Sequence, residues 1–172
     1  MNRYILTLLG PDRTGLVRQV ADEVRQRGGN WRTSRMIRLA GHFAGIVEFD
    51  LPAEKAASLE DSLAGLRAGG FTVALLGADG TEPRGGTLWQ IDLQGNDRPG
   101  IVHEVSRAVA EAGGNVEEWE SRVTSAPMTG QPLFELTGTV RLPEGADPDG
   151  LRQALEALGA DLAVGIQLNT AG

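Results

Sequence analysis

The six residues Gly-Pro-Asp-Arg-Thr-Gly, 10 to 15, put a carboxylate, a guanidinium and two glycines into one short stretch. The phrase returns at 95 to 100 as Gly-Asn-Asp-Arg-Pro-Gly. Each copy follows a strand-like run and precedes a helical pattern, so its amides stand at a helix N-terminus, where four donors lack intrahelical acceptors. Two uses fit. Asp12 and Asp97 would cap those donors and suit the positive end of the helix dipole, with Pro99 in the first turn, where its missing N–H costs nothing. Alternatively Gly15 and Gly100, which carry no side chain, leave the amides open to an anionic group.

A small zwitterion suits such a corner better than a nucleotide, because neither phosphate-binding glycine pattern is present at the turn. Its carboxylate would take the helix-terminal amides, and its ammonium an amide or carboxylate oxygen. Asn30 and Asn115, each placed directly after a Gly-Gly pair, offer such an oxygen if the start of strand two lies near its own turn. The ordinary alternative is an asparagine that bonds its own backbone.

Catalysis has little to stand on. His42 and His103 occupy non-equivalent places in the repeat, and no hydrolase, metalloprotease or kinase pattern occurs. The acidic group Glu117, Glu118 and Glu120 reads as a solvated strand edge. Zero cysteines exclude disulfides and a thiolate zinc site. The expectation is a non-enzyme with no cofactor and no catalytic or metal-ligating residues.

The elements that position these corners follow from an internal repeat. Residues 10–30 align with 95–115 without a gap, and ten of the 21 pairs are identical. Upstream, Tyr4, Leu6 and Leu8 match Trp89, Ile91 and Leu93 at the spacing of a half-buried strand. In the helix, Leu16, Val17, Val20, Ala21 and Val24 form one apolar face, matched by Ile101, Val102, Val105 and Val109. Glycines 28–29 and 113–114 end that helix. A hairpin, a second helix (Leu59, Leu63, Leu66; Leu151, Leu155, Leu158) and a last strand complete each copy.

The order β-α-β-β-α-β, twice, predicts an α+β chain of two ferredoxin-like domains, each an antiparallel four-stranded sheet with two helices on one face. The expected bounds are 1–76 and 87–169, joined by a linker at 77–86. Two helices cover one face of such a sheet. Ile5 and Leu9 on the other face of copy one, against Gln90 and Asp92 in copy two, predict that the first sheet is covered by copy two or by a second chain.

Sixteen basic against 23 acidic residues, a formal net of −7, disfavour direct nucleic-acid binding. No apolar run reaches the length of a membrane span and no secretory leader is visible, so a cytoplasmic location is expected. Arg32, Arg35 and Arg38 in strand two of copy one face Glu117, Glu118 and Glu120 in the matching stretch, either as edge protection or as complementary edges that help fix assembly.

The phrase Gly-x-Asp-Arg-x-Gly-(Leu/Ile)-Val, with a helix ending Gly-Gly-Asn, resembles the ACT domain, a regulatory module that binds amino acids. Two such domains resemble the stand-alone tandem ACT proteins, among them the glycine cleavage system transcriptional repressor family. The resemblance implies an amino-acid sensor, glycine or serine first, that acts through a protein partner such as a transcription factor or enzyme and forms a homodimer or higher oligomer. It implies ligand contacts from the first turn of one domain and the start of strand two of another: Asp12, Arg13, Thr14, Gly15 and Asn30, and Asp97, Arg98, Pro99, Gly100 and Asn115. The competing readings are a ligand-free oligomerisation module and a regulatory subunit of a separate amino-acid metabolic enzyme.

Overall fold

The computed structural model describes residues 1–78, 85–127 and 129–158, and the backbone of 162–168. The chain divides into two compact units, Met1–Glu82 and Pro83–Gly172. Unit 1 runs β1 (Asn2–Pro11), α1 (Leu16–Gln26), β2 (Asn30–Leu39), β3 (His42–Leu51), α2 (Ala56–Ala68) and β4 (Thr72–Gly77). Unit 2 repeats the order as β5 (Thr87–Asn96), α3 (Ile101–Glu111), β6 (Asn115–Ser125), β7 (Pro132–Leu142), α4 (Pro148–Glu156) and β8 (Leu162–Leu168). The sheets have the orders β2-β3-β1-β4 and β6-β7-β5-β8, antiparallel throughout. This is the ferredoxin-like α+β fold, twice. Most of the stretch read as a linker, 79–84, lies outside the described residues, and Gly77 belongs to β4.

Each helix meets its sheet through the residues that alternate inward. In unit 1, Leu16, Val20 and Val24 of α1 and Leu59, Leu63 and Leu66 of α2 pack on Leu6, Leu8, Val47 and Phe49. In unit 2, Ile101, Val105 and Val109 with Leu151 and Leu155 pack on Ile91, Leu93, Leu136 and Val140, and Leu158 lies at the margin, half-buried. The α1 face is narrower than its apolar residues suggest. Val17 and Val102 are 40% and 47% exposed and lie outside the two cores. A position one residue on is turned by about 100° on a helix, and that rotation carries both valines out of the core.

The helix exits are alike. Gly28 and Gly113 take left-handed φ of 74° and 72°. Gly29 N donates to Val24 O and Gly28 N to Arg25 O, both at 3.0 Å, and Gly114 and Gly113 repeat the pattern on Val109 and Ala110. This pair of bonds satisfies the last carbonyls of the helix. The second glycine is there for space, since a Cβ on Gly29 would stand 2.7 Å from a Val24 methyl and 2.9 Å from Asp50 O. Among the described residues no helix is long and apolar enough to cross a membrane.

Candidate functional site

Both copies of the repeated phrase sit where β1 and β5 hand over to α1 and α3. The hairpin pins them there: Asp12 N donates to Gly41 O at 3.1 Å, and Asp97 N to Pro132 O at 3.0 Å. The helix starts correct the expected capping. Gly15 and Gly100 are the N-cap residues, with left-handed φ of 84° and 94°, and no side chain caps either helix. Asp12 stands three residues earlier, too far back for a cap bond, and its carboxylate takes Arg38 Nε at 2.6 Å instead. Pro99 likewise precedes the helix and does not enter its first turn.

The two corners differ in what their arginine holds. Arg13 donates to the neutral Gln19 Oε1 at 2.6 Å and lies 5.2 Å over the Phe71 ring. Gly10 makes room for that ring, because a Cβ there would fall 2.4 Å from it. In unit 2 the residue matching Gln19 is Glu104. Arg98 grips it with two nitrogens at 2.9 and 2.6 Å and also donates to Leu158 O at 2.9 Å. The Arg98 hydrogen bond holds the Glu104 carboxyl below its ordinary range; partial desolvation opposes this, and the charges of Arg98, Arg107 and His103 reinforce it. A carboxylate therefore sits beside the start of α3, and its oxygen would lie 3.6 Å from a Cβ placed on Gly100. At Gly15 the same position has nothing within 4 Å. Thr14 and Pro99 are exposed in their turns.

The asparagines do not meet the turns of their own units. Asn30 pairs with Asp50, which pairs with Arg3, whereas Leu39 pairs with His42, which pairs with Pro11. Asn30 and Asp12 thus lie at opposite ends of the sheet, about 30 Å apart along the strand at 3.3 Å per residue. The βαβ crossover is the reason: α1 runs back down the sheet, and β2 starts where β1 began. Asn115 holds the matching place in unit 2, where its amide donates to Val116 O at 3.3 Å.

One cleft of about 530 Å³ lies between α1 and the edge strand β2, lined by Val17, Ala21, Trp31, Ser34 and Met36 with Asn30 at one end. Its size falls within the usual range of small-molecule sites. Of the ten residues expected at a site, Asn30 is in this lining and the turn residues are not. Sequence reasoning missed the cleft because it assigned Val17 and Ala21 to the core. The signal was an apolar face on α1 broader than one sheet can bury, beside an edge strand carrying Trp31 and Met36.

Residues 2–69 match the family model of the ACT domain. The matched stretch covers most of the first unit. Unit 2 repeats the strand order of unit 1 and its Gly-x-Asp-Arg-x-Gly turn. Over nearly its whole length the chain is similar to a crystal structure of a protein of unknown function from Galdieria sulphuraria, at 25% identity and a TM-score of 0.83, covering 97% of this chain and 98% of that one. It also shares its fold with a candidate glycine cleavage system transcriptional repressor, at 16% identity and a TM-score of 0.67, with 98% of both chains covered. No curated protein matches the chain.

The charge asymmetry of the second strand of each unit also has a local account. Both β2 and β6 carry a bulge at the same place, Arg32 in one and Glu117 in the other. Arg32 pairs with Asp50 at 2.7 Å, and Glu117 with Arg141 at 2.9 Å. Asp50 and Arg141 are equivalent positions, so the same cross-strand ion pair is present twice with its signs exchanged. These charges, and Arg38 with Asp12, are satisfied inside their own units.

Proposed function

We propose that this chain is a cytoplasmic, non-enzymatic regulator that senses a small amino acid through its ACT domains. It passes that state to a protein partner, a transcription factor or an amino-acid metabolic enzyme, without touching nucleic acid itself. In this reading the domains span 1–76 and 87–169, joined by 77–86. The observation that carries the proposal is the open corner of unit 1: an uncapped helix N-terminus at Gly15 beside Arg13, whose partners among the described residues are neutral. Free amides, a helix dipole and a guanidinium are what a carboxylate needs.

The ammonium needs an acceptor, and Asn30 is at the wrong end of its own unit to supply it. Two chains whose first units lie antiparallel along their β2 edges would bring the turn of one to Asn30 of the other, with the α1–β2 cleft running between. Asp12, Arg13, Thr14 and Gly15 of one chain and Asn30 of the next then form the site. Unit 2 favours a structural part. Glu104 already occupies the place of the ligand carboxylate, so Asp97, Arg98, Pro99, Gly100 and Asn115 form a corner that satisfies itself.

Thermal unfolding with a panel of free amino acids, glycine and serine first, tests the proposal. A ligand at a hundred times its dissociation constant stabilises the native state by about 2.7 kcal/mol, which is expected as a clear rise in Tm for at least one of them. A Tm unmoved by every amino acid at millimolar concentration removes sensing and leaves a ligand-free module.

A further inference from the structure

The α1–β2 cleft of unit 1 owes its shape to three side chains of the edge strand. The bulge at Arg32 keeps Trp31, Ser34 and Met36 on the face of β2 that looks toward α1, and each is half-buried. Trp31 and Met36 pack at the margin of the core and stand as walls, with the small Ser34 as the floor between them. Val17 and Ala21 of α1 close the slot from above. Val17 is 40% exposed and lies outside the core, so its methyls have no other apolar duty. Unit 2 builds the same place in reverse. Val116, Trp119 and Ser121 hold the positions of Trp31, Ser34 and Met36, so large-small-large becomes small-large-small. Trp119 is half-buried against the unit 2 core and pairs with the bare Gly138, whereas Ser34 pairs with Val47. An indole of the chain itself thus occupies in unit 2 the position that unit 1 leaves open.

Resting on the amino-acid reading of the corner, we infer that this cleft receives the side chain of the sensed amino acid and that this side chain is aromatic. The turn amides and Asn30 address only the carboxylate and ammonium that all amino acids share, so they do not tell one from another. With those groups held between the turn of one chain and Asn30 of the next, the side chain enters the cleft at its Asn30 end. Glycine and serine would leave nearly all of its 530 Å³ to water. The walls favour a ring. An indole offers a face for stacking, and the Met36 thioether suits a ring edge. Charged side chains fit less well. Among the described residues no carboxylate lines the cleft, and the guanidinium of Arg25, its one charged group, turns to Asp22 at 3.4 Å. Ser34 is then the residue that sets specificity, because its small size keeps the slot open.

Calorimetric titration of the intact chain with phenylalanine, tyrosine and tryptophan, against glycine and serine, reads the preference. At least one aromatic amino acid is expected to bind about a hundredfold more tightly than glycine, the worth of one buried aromatic side chain. The double variant Ser34→Trp, Val47→Gly copies the pairing of unit 2 and is expected to lose that preference. Val17→Gln, at an exposed position outside the core, is expected to keep the Tm of the free chain and to weaken aromatic binding about fourfold, the worth of one buried methylene. If the double variant fails to fold, Val17→Gln alone decides. Aromatic affinities no higher than those of glycine or serine overturn the inference and leave amino-acid sensing standing. Heat from none of the five overturns both. An aromatic preference that the folded variants leave unchanged puts the side chain outside the cleft and overturns the inference as well.

Discussion

The two halves of this chain fold alike and differ at almost every surface that could meet something else. Their cores are interchangeable in kind: aliphatic helices over Leu6, Val47 and Phe49 in one, over Ile91, Leu136 and Val140 in the other. Their surfaces part company. Unit 1 is electroneutral, exposes several aliphatic side chains on its open sheet face and leaves its helix corner uncapped beside Arg13. Unit 2 has six basic and thirteen acidic residues, which accounts for the whole net charge of −7, and among its described residues the open sheet face carries hydrogen-bonded polar groups and the helix corner an Arg98–Glu104 pair. Two copies with like cores thus differ in what their surfaces present: unit 1 has the uncapped helix corner and no net charge, and unit 2 carries the whole net charge and an Arg98–Glu104 pair at its corner.

The comparison is broken or sharpened first at the core. Phe49 is fully buried in unit 1, where unit 2 has Val140. Phe49→Ala is expected to cost about 3–5 kcal/mol, read by denaturant unfolding, and Val140→Ala less, because fewer atoms are lost. Equal costs would mean that the cores too have diverged. Next comes the backbone at the corner. Gly15 has open space but a left-handed φ of 84°, so Gly15→Ala is expected to lose about 1–2 kcal/mol through backbone strain alone. Gly100→Ala is expected to lose about the same, since its φ is 94°.

The ligand chemistry should follow one side chain. Gln19→Glu rebuilds in unit 1 the carboxylate that unit 2 carries at Glu104, and is expected to weaken amino-acid binding about tenfold, or ~1.4 kcal/mol, by titration calorimetry. Glu104→Gln is expected to leave that affinity unchanged. The smallest effect concerns pH. The Glu104 carboxyl is held below its ordinary value in the folded chain, chiefly by its Arg98 hydrogen bond. Its contribution is therefore fully present above the ordinary carboxylate range and is lost as pH falls through the lowered value. Solvent reaches both groups, so a small acid-side fall in Tm, absent in Glu104→Gln, is the expected sign.

Much of this was legible in the residues. The gapless repeat, the strand alternation and the Gly-Gly exits dictate two ferredoxin-like units, and the structure adds the register. The corners were less legible, because their partners lie far along the chain. Asp12 reads as a cap until the fold brings Arg38 to it from 26 residues away. Asn30 reads as a neighbour of its turn until the crossover sends it to the other end of the sheet. Val17 reads as core because a helical wheel does not show how wide the sheet beneath is. One contrast between the copies carried further: Ile5 and Leu9 against Gln90 and Asp92 point to a surface on which the units differ, whereas the difference between Gln19 and Glu104 emerges only once Arg13 and Arg98 are seen to hold them.

The division of labour is tested most directly by calorimetric titration of the amino acid that raises Tm into three chains: the natural sequence, Asn30→Ala and Asn115→Ala. The account predicts one saturable site per chain in the natural protein, its loss in Asn30→Ala and its retention in Asn115→Ala. Two sites per chain, or binding abolished by Asn115→Ala and kept in Asn30→Ala, would contradict it.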